Sequence, residues 1–234
     1  MSVKSYSSKS STTNVLRLVI ALLAFSSISC SIAETTLVNA EELAEWEFWG
    51  QGFVSLDESK KYVVLEEATN SKGIILASPK SYDNVVVNYR VTPLTPTSVM
   101  VVMLATNHAG NIDSKYHAAD DYDGNMKTLV TENDSYFIAF NNSAHNSTPY
   151  ITKYADGTKS KLTSAETNLP PAEWYDVEVG KDDNKVWLKI NEKLILQATD
   201  EQMHPSGHIV FRLRGTKNSI ASAKIENLKI TSTD

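Results

Sequence analysis

The chain has few of the residues that mark disulfide-stapled or membrane-spanning proteins. Its 234 residues include one cysteine, nine glycines and seven prolines. One cysteine cannot form an intramolecular disulfide, so the fold has to be held by its hydrophobic core. The apolar run at residues 18–25 is too short to cross a bilayer.

That short apolar run has the features of an export signal. Basic residues and no acidic ones precede it. Two cleavage points fit: a bacterial lipobox ending at Cys30, or a small-residue site ending at Ala33. A lone cysteine in an exported protein favours lipidation of Cys30, although Ser27 stands where a lipobox usually has an aliphatic residue. The expected location is the periplasm or the outer membrane, with secretion as the alternative.

The composition also limits the partners. The formal net charge is −6 and the sequence pI is about 5.4, so nucleic acid is not an expected partner. No basic amphipathic helix is visible, and membrane contact is expected only through the lipid anchor. We divide the chain into a signal peptide (1–30), a linker (31–44) and one domain (45–234).

Strands with period-two alternation dominate that domain. WYDVEV, KVWLKI, KLILQA, HIVFRLR and AKIENLKI each place apolar residues on one side and polar residues on the other. Earlier segments of similar length are separated by turn signals, and residues 99–105 are apolar on both sides, which is typical of a central strand. The pattern predicts an all-β sandwich of two antiparallel sheets.

Arginine usage is the strongest functional signal. The chain has four arginines against eighteen lysines, and the three outside the signal peptide all fall in predicted strands. Arginine binds a carboxylate with a planar fork that lysine lacks, so these residues suit an anionic sugar. The alternative is that they form ion pairs on a solvated sheet face, with Asp176, Glu178 or Glu226.

Strand alternation assigns the arginines to faces. In VVVNYRV, Asn88 and Arg90 share the side opposite Tyr89, and in HIVFRLR the arginines lie opposite Phe211. We therefore predict that Arg90 and Arg212 project from the same face of one sheet, while Tyr89 and Phe211 point between the sheets. The predicted substrate-binding residues are Asn88, Arg90, Arg212 and Arg214.

The order of these segments resembles a known family. EWEFWGQGFVSLDESKKYVVLE, VVVNYRVTPLTPTSVMVVMLAT, SYFIAF, EWYDVEVGKDDNKVWLKINEKLIL and SGHIVFRLRG are similar to the YesU-like family of bacterial proteins, over residues 46–230. The resemblance implies a concanavalin A-like jelly-roll fold and a role with uronate-containing polysaccharides. It supplies no catalytic residues.

Catalysis would need further groups. A uronate lyase needs a cation at the carboxylate and a base for the C5 proton, and His108 or Tyr136 is the candidate base. A surface position for His108 and core packing for Tyr136 are the alternatives. His117 and His145 lie in polar segments and are further candidates for the same role.

Metal binding and hydrolysis are minor alternatives. No cofactor is expected; residues 120–125 offer oxygen ligands for calcium but lack the closing glutamate of an EF-hand. Asp176 and Glu178 share one side of their strand, as the carboxylates of a sandwich hydrolase do.

The sequence thus predicts an exported protein that binds an acidic polysaccharide or oligosaccharide and cleaves it by β-elimination, as a polysaccharide lyase. A non-catalytic carbohydrate-binding lipoprotein is the alternative, and a glycoside hydrolase is the third. Whether the protein is an enzyme stays open at this point.

Overall fold

The computed structural model describes residues 33–96, 98–108, 118, 122–141, 148–166, 173–216 and 219–233. All of them belong to one compact unit, Ser31–Asp234. The strands are β1 (Glu34–Val38), β2 (Glu47–Gly50), β3 (Gly52–Leu56), β4 (Val63–Glu67), β5 (Ile74–Tyr82), β6 (Val85–Pro93), β7 (Val99–His108), β8 (Asn133–Asn141), β9 (Tyr150–Ala155), β10 (Thr158–Ser164), β11 (Tyr175–Asp182), β12 (Lys185–Ile190), β13 (Lys193–Thr199), β14 (Gly207–Arg214) and β15 (Ser222–Ser232). The helices are α1 (Ala40–Ala44) and α2 (Met126–Glu132).

Within the described ranges the strands form two antiparallel sheets. The first sheet has the order β13-β12-β11-β6-β15-β4-β3, and β1 pairs with the C-terminal half of β15. The second sheet has the order β10-β9-β8-β7-β14-β5-β2. The predicted two-sheet antiparallel sandwich is therefore confirmed.

The main core lies between the two sheets. Tyr89 of β6 meets Phe211 of β14 edge to face, with ring centroids 5.0 Å apart, and the Trp46 ring lies 5.9 Å from that of Phe211. The inward direction predicted for Tyr89 and Phe211 is confirmed. These rings come from both sheets, so they fix how the sheets stack.

A second apolar layer covers the outer face of the second sheet. Ile75, Val101, Phe137 and Val210 project from neighbouring strands of that sheet, and Leu129 of α2 packs on them. This layer explains why β7 is apolar on both sides, as the sequence indicated. None of the helices in the described part of the chain is long and apolar enough to cross a bilayer.

The region expected to be a linker is structured from residue 34 onward. β1 adds to the edge of β15, and α1 begins with a capping box in which Asn39 and Glu42 bond each other's backbone amides at 2.9 and 3.0 Å. Leu43 of α1 is buried in the main core. These residues therefore belong to the sandwich rather than to a linker.

Candidate functional site

The outer face of the first sheet carries an open groove of 870 Å³. Polar side chains of four adjacent strands form its floor: Asn88, Arg90, Asp176, Glu178, Lys189 and Lys229. One wall consists of the end of β1, the start of α1 and the turn at Lys60 and Lys61. We call this cavity the first-sheet groove.

The alternation of β6 sets the centre of this groove. Asn88 and Arg90 are half-buried on the outer face, while Val87, Tyr89 and Val91 are buried between the sheets. β6 lies between β11 and β15, so its outward side chains stand in the middle of the floor. The shared face predicted for Asn88 and Arg90 is confirmed.

Arg90 is held by acidic neighbours. Its Nε lies 3.1 Å from Asp176 Oδ1, and its Nη1 donates to Glu226 Oε1 at 2.5 Å. Strand pairing places both carboxylates directly opposite Arg90 on the flanking strands. The Arg90 guanidinium also lies 5.0 Å from the ring centre of Trp174. For Arg90 the ion-pair alternative raised by the sequence is therefore the one observed.

Trp187 lies beside this floor and contacts it through Glu178. The Trp187 ring lies against the backbone of Gly180, where a Cβ atom would come within 2.0 Å of it. Its Nε1 donates to Glu178 Oε1 at 2.8 Å, and Lys189 Nζ lies 2.8 Å from the same oxygen. Partial burial raises the pKa of Glu178, but the hydrogen bonds from Lys189 and Trp187 outweigh it, so the net pKa is lowered. Glu178 is thus a carboxylate at neutral pH and unsuited to be a general acid.

Two lysines of the groove have no ion-pair partner in the described part of the chain. Lys60 pairs with Glu41 and Lys189 pairs with Glu178, whereas Lys61 on the wall and Lys229 on the floor are exposed. These two cations are available to an anionic ligand.

Arg212 lies elsewhere, and this corrects the prediction of a shared groove. Its strand, β14, belongs to the second sheet, whereas Arg90 is in the first. The Arg212 side chain is only 4% exposed, because residues 122–132 cover that face. Its Nη2 donates to the carbonyls of Lys72 at 2.9 Å and Gly124 at 3.0 Å. The alternation of β14 correctly predicted that Arg212 points away from the main core, but it did not predict that residues 122–132 cover that face.

Arg214 is separate from both of these arginines. It is exposed at the end of β14 and lines a different cavity of 320 Å³, together with Glu67 and Lys72. Glu67 is buried and accepts hydrogen bonds from the backbone N–H groups of Gly215 and Ala221. The four predicted substrate-binding residues therefore fall in three places.

Neither candidate base lies in the first-sheet groove. Tyr136 is fully buried; its hydroxyl donates to Asp200 Oδ2 at 2.6 Å and accepts from the backbone N–H of His204. Burial and the neighbouring Asp200 raise the pKa of Tyr136 well above its usual value, so it is a core residue rather than a base. His108 is exposed at the end of β7, and its Nδ1 lies 3.0 Å from the Glu132 carbonyl oxygen. It stands about 20 Å along the strand from the level of Arg212, at ~3.3 Å per residue.

Several other predicted residues lie outside the described ranges: His117, His145, Asp120, Asp121 and the lipidation residue Cys30. Asp123, from the candidate calcium segment, forms an ion pair with Lys72. Among the described residues no group of three histidine, cysteine or carboxylate side chains is arranged to hold a metal.

Sequence reasoning missed two tryptophans and four lysines of this site: Trp174, Trp187, Lys60, Lys61, Lys189 and Lys229. Trp187 and Lys189 share the outward side of KVWLKI, so a signal was present. The groove wall was missed because the strand β1 is exposed and lacks apolar alternation.

Comparison with known structures identifies the fold. A Bacillus subtilis protein of unknown function with a galectin-like fold matches with a TM-score of 0.64 at 14% identity, covering 86% of this chain and 96% of its own. The carbohydrate-binding module CBM66 of Bacillus subtilis matches with a TM-score of 0.52 at 13% identity, covering 83% of this chain and 94% of its own. A Bacillus licheniformis beta-glucanase matches with a TM-score of 0.53 at 12% identity, covering 90% of this chain and 95% of its own.

The fold is a concanavalin-like jelly roll. No protein-family model matches the sequence, and a sequence search of curated proteins finds no significant match. At these identities the structural likeness establishes the fold alone, since one sandwich serves many activities.

Proposed function

We propose that this protein binds a carbohydrate in the first-sheet groove and does not cleave it. The observation that carries the proposal is the groove itself: a cavity of 870 Å³ on an open sheet face, with Asn88 and ion-paired side chains on its floor. Fixed amide, carboxylate and guanidinium groups match the alternating donors and acceptors of sugar hydroxyls. The half-buried rings of Trp174 and Trp187 border the same floor and offer apolar faces for a pyranose ring.

The likeness to CBM66 and to galectin-like and glucanase structures supports a carbohydrate ligand, because sandwiches of this shape recur among sugar-binding proteins. Membership of the YesU-like family stays part of this proposal and rests on the sequence resemblance.

The finer proposal is that the ligand is acidic. Lys61 and Lys229 line the groove without ion-pair partners in the described ranges, so a uronate carboxylate that reaches them replaces no existing ion pair. Arg90 contributes less than expected, because Asp176 and Glu226 already neutralise it.

Binding is preferred over the lyase mechanism because neither His108 nor Tyr136 lies in the first-sheet groove. A hydrolase using Asp176 and Glu178 keeps one supporting observation: the two residues share the groove floor, about 7 Å apart along β11. The lowered pKa of Glu178 fits the ionised member of such a pair, and Asp176, which would have to donate the proton, is engaged in an ion pair with Arg90.

Titration calorimetry with uronate and neutral oligosaccharides tests the proposal. The double variant Lys61→Ala/Lys229→Ala should weaken uronate binding about tenfold, since a charge-assisted hydrogen bond contributes ~1.5–3 kcal/mol and 1.4 kcal/mol is tenfold. The matched control is Lys159→Ala/Lys161→Ala, which removes the same charge from exposed positions on β10. Trp174→Ala should weaken the binding of both acidic and neutral oligosaccharides.

An equal loss of uronate affinity in the two double lysine variants would contradict the acidic site. Formation of unsaturated sugars would contradict binding without cleavage.

We also propose export with a lipid attached at Cys30, on the sequence evidence alone. The mature protein then begins at Cys30, which the intact mass of membrane-extracted protein would show. An unmodified protein that begins at Glu34 would refute the anchor.

A further inference from the structure

The outer face of the second sheet has the composition of a ligand site, although part of the chain lies over it. Phe137 and Tyr150 stack at a centroid distance of 6.0 Å with ring planes 14° apart, and Tyr154 meets Phe137 edge to face at 5.9 Å. Residues 122–132, which we call the cover, pack on this face through Tyr122, Met126, Leu129 and Val130.

Polar side chains on the same face are buried without hydrogen-bond partners. Ser135 Oγ and Thr152 Oγ1 are unpartnered in the described structure. Both share the outward side of their strands with Phe137 and Tyr154, and both side chains are fully buried. Asn133 Oδ1, at the C-terminal end of α2, also lacks a partner.

Arg212 is the strongest case on this face. A guanidinium has five N–H donors, and among the described residues the geometric hydrogen bonds of Arg212 are two, from Nη2 to backbone carbonyls. In the described structure its Nε is buried without a hydrogen-bond partner, and the Tyr122 hydroxyl interacts with the charge of the guanidinium. The carboxylate that acts on this charge, Glu67, accepts from the backbone of Gly215 and Ala221 through Oε2 and forms no hydrogen bond with Arg212 within the described ranges. A buried cation with unused donors and no bonded carboxylate is costly, because its lost hydration is not replaced.

These features share one explanation. Hydroxyl, amide and guanidinium groups beside a row of aromatic rings are the groups that bind a sugar carrying a negative charge. We propose that the outer face of the second sheet is a second binding site for an anionic saccharide, and that the cover occupies it when no ligand is bound.

The cover is held by contacts that a ligand can replace. Lys72 and Asp123 form an exposed ion pair, and the Gly124 carbonyl accepts from Arg212. Leu129 supplies the buried apolar contact in the middle of α2. If the site binds ligand only when the cover is displaced, the apparent dissociation constant is the intrinsic one divided by the open fraction. Loosening the cover should therefore raise apparent affinity by the same factor as it raises that fraction.

The experiment uses the Lys61→Ala/Lys229→Ala background, in which the first-sheet groove is weakened. Sodium glucuronate is the probe, with glucose and sodium sulfate at matched concentration and ionic strength as comparisons. Hydrogen exchange of the cover amides is followed by mass spectrometry.

Glucuronate should speed exchange in residues 122–132 more than glucose or sulfate does, because it displaces the cover. Leu129→Ala should raise the apparent affinity for glucuronate at least tenfold. Lys72→Ala loosens the cover without touching the core, and should act in the same direction if Leu129→Ala does not fold.

A second variant separates a binding site from a buried structural layer. Ser135→Ala/Thr152→Val removes the unpartnered hydroxyls at nearly constant volume, so it should raise the melting temperature of the ligand-free protein and weaken glucuronate binding about tenfold. Unchanged glucuronate binding in this variant overturns the proposal. The proposal is also overturned if sulfate changes exchange of the cover as much as glucuronate does. It is overturned as well if glucuronate has no effect in either Leu129→Ala or Lys72→Ala.

Discussion

Two arginines of this protein show how little a residue type says about its role. Arg90 is half-exposed between Asp176 and Glu226, so its charge is balanced on the sheet surface. Arg212 is buried against backbone carbonyls and aromatic rings. Both lie at outward positions of their strands, and only their surroundings differ.

Gly180 is the residue that lets Trp187 lie against the first sheet. Gly180→Ala would place a Cβ about 2.0 Å from the ring, so the ring has to move and its bond to Glu178 breaks. We expect a destabilisation of about 1–3 kcal/mol, measured by urea unfolding, together with a red-shifted tryptophan emission. A double-mutant cycle provides the control, because in a Trp187→Ala background the same change should cost little. An equal cost in both backgrounds would mean that the ring contact is not the cause.

At the scale of elements, the segment that follows β13 is fastened to the second sheet by a polar cluster. Asp200 accepts from Tyr136, and Lys153 lies 2.8 Å from the same carboxylate oxygen. His204 Nε2 lies 2.8 Å from the Tyr154 carbonyl oxygen. Because a carbonyl only accepts, Nε2 has to carry the proton.

His204 makes this element sensitive to pH. Burial, and then the charge of Lys153, lower the pKa of His204 below 6.5, while Asp134 and Asp200 oppose the shift. The unfolded chain therefore takes up the proton first, and stability that is present above pH 6.5 is lost as pH falls. The melting temperature should drop between pH 7 and pH 5, and His204→Gln should flatten that slope.

His108→Gln is the matched control, since its ring is exposed. Asp200 does not contribute between pH 7 and pH 5, because its pKa is lowered from an ordinary value of 3.8 and its titration lies below that range. A slope that persists in His204→Gln would assign the pH dependence to another group.

At the scale of the whole molecule, the beginning and the end of the sandwich support each other. β1 pairs along β15 from Glu34 with Ser232 to Val38 with Leu228. The same segment continues into α1 and forms one wall of the first-sheet groove. Fold and candidate site therefore depend on residues that the sequence assigned to a linker.

A comparison of two truncations tests this dependence. A protein that starts at Glu34 keeps β1 and α1, whereas one that starts at Glu45 loses both, including the buried Leu43. We expect the shorter protein to be less stable by at least about 2–5 kcal/mol, the usual cost of removing a buried leucine side chain. It should also bind oligosaccharide more weakly. Equal urea midpoints would show that the first strand and helix are dispensable.

The sequence by itself determined where most strands lie and which side chains point inward. KVWLKI is β12 from end to end, and the inward positions of Tyr89 and Phe211 follow from alternation, because side-chain direction in a strand is a local property with period two. β10 was not predicted, since it is an exposed edge strand without an apolar side. Neither α1 nor α2 was predicted, since α1 lies in the segment assigned to a linker and α2 follows a long polar segment.

Only the tertiary structure decided which strands are neighbours and what covers each face. Arg90 and Arg212 have the same local pattern, yet β6 pairs with β11 and β15, while β14 pairs with β5 and β7. Pairing between distant strands depends on chain topology, which alternation does not encode. For the same reason the sequence could not show that the first sheet keeps an open polar face while residues 122–132 cover the second, since that difference depends on contacts between segments far apart in the chain.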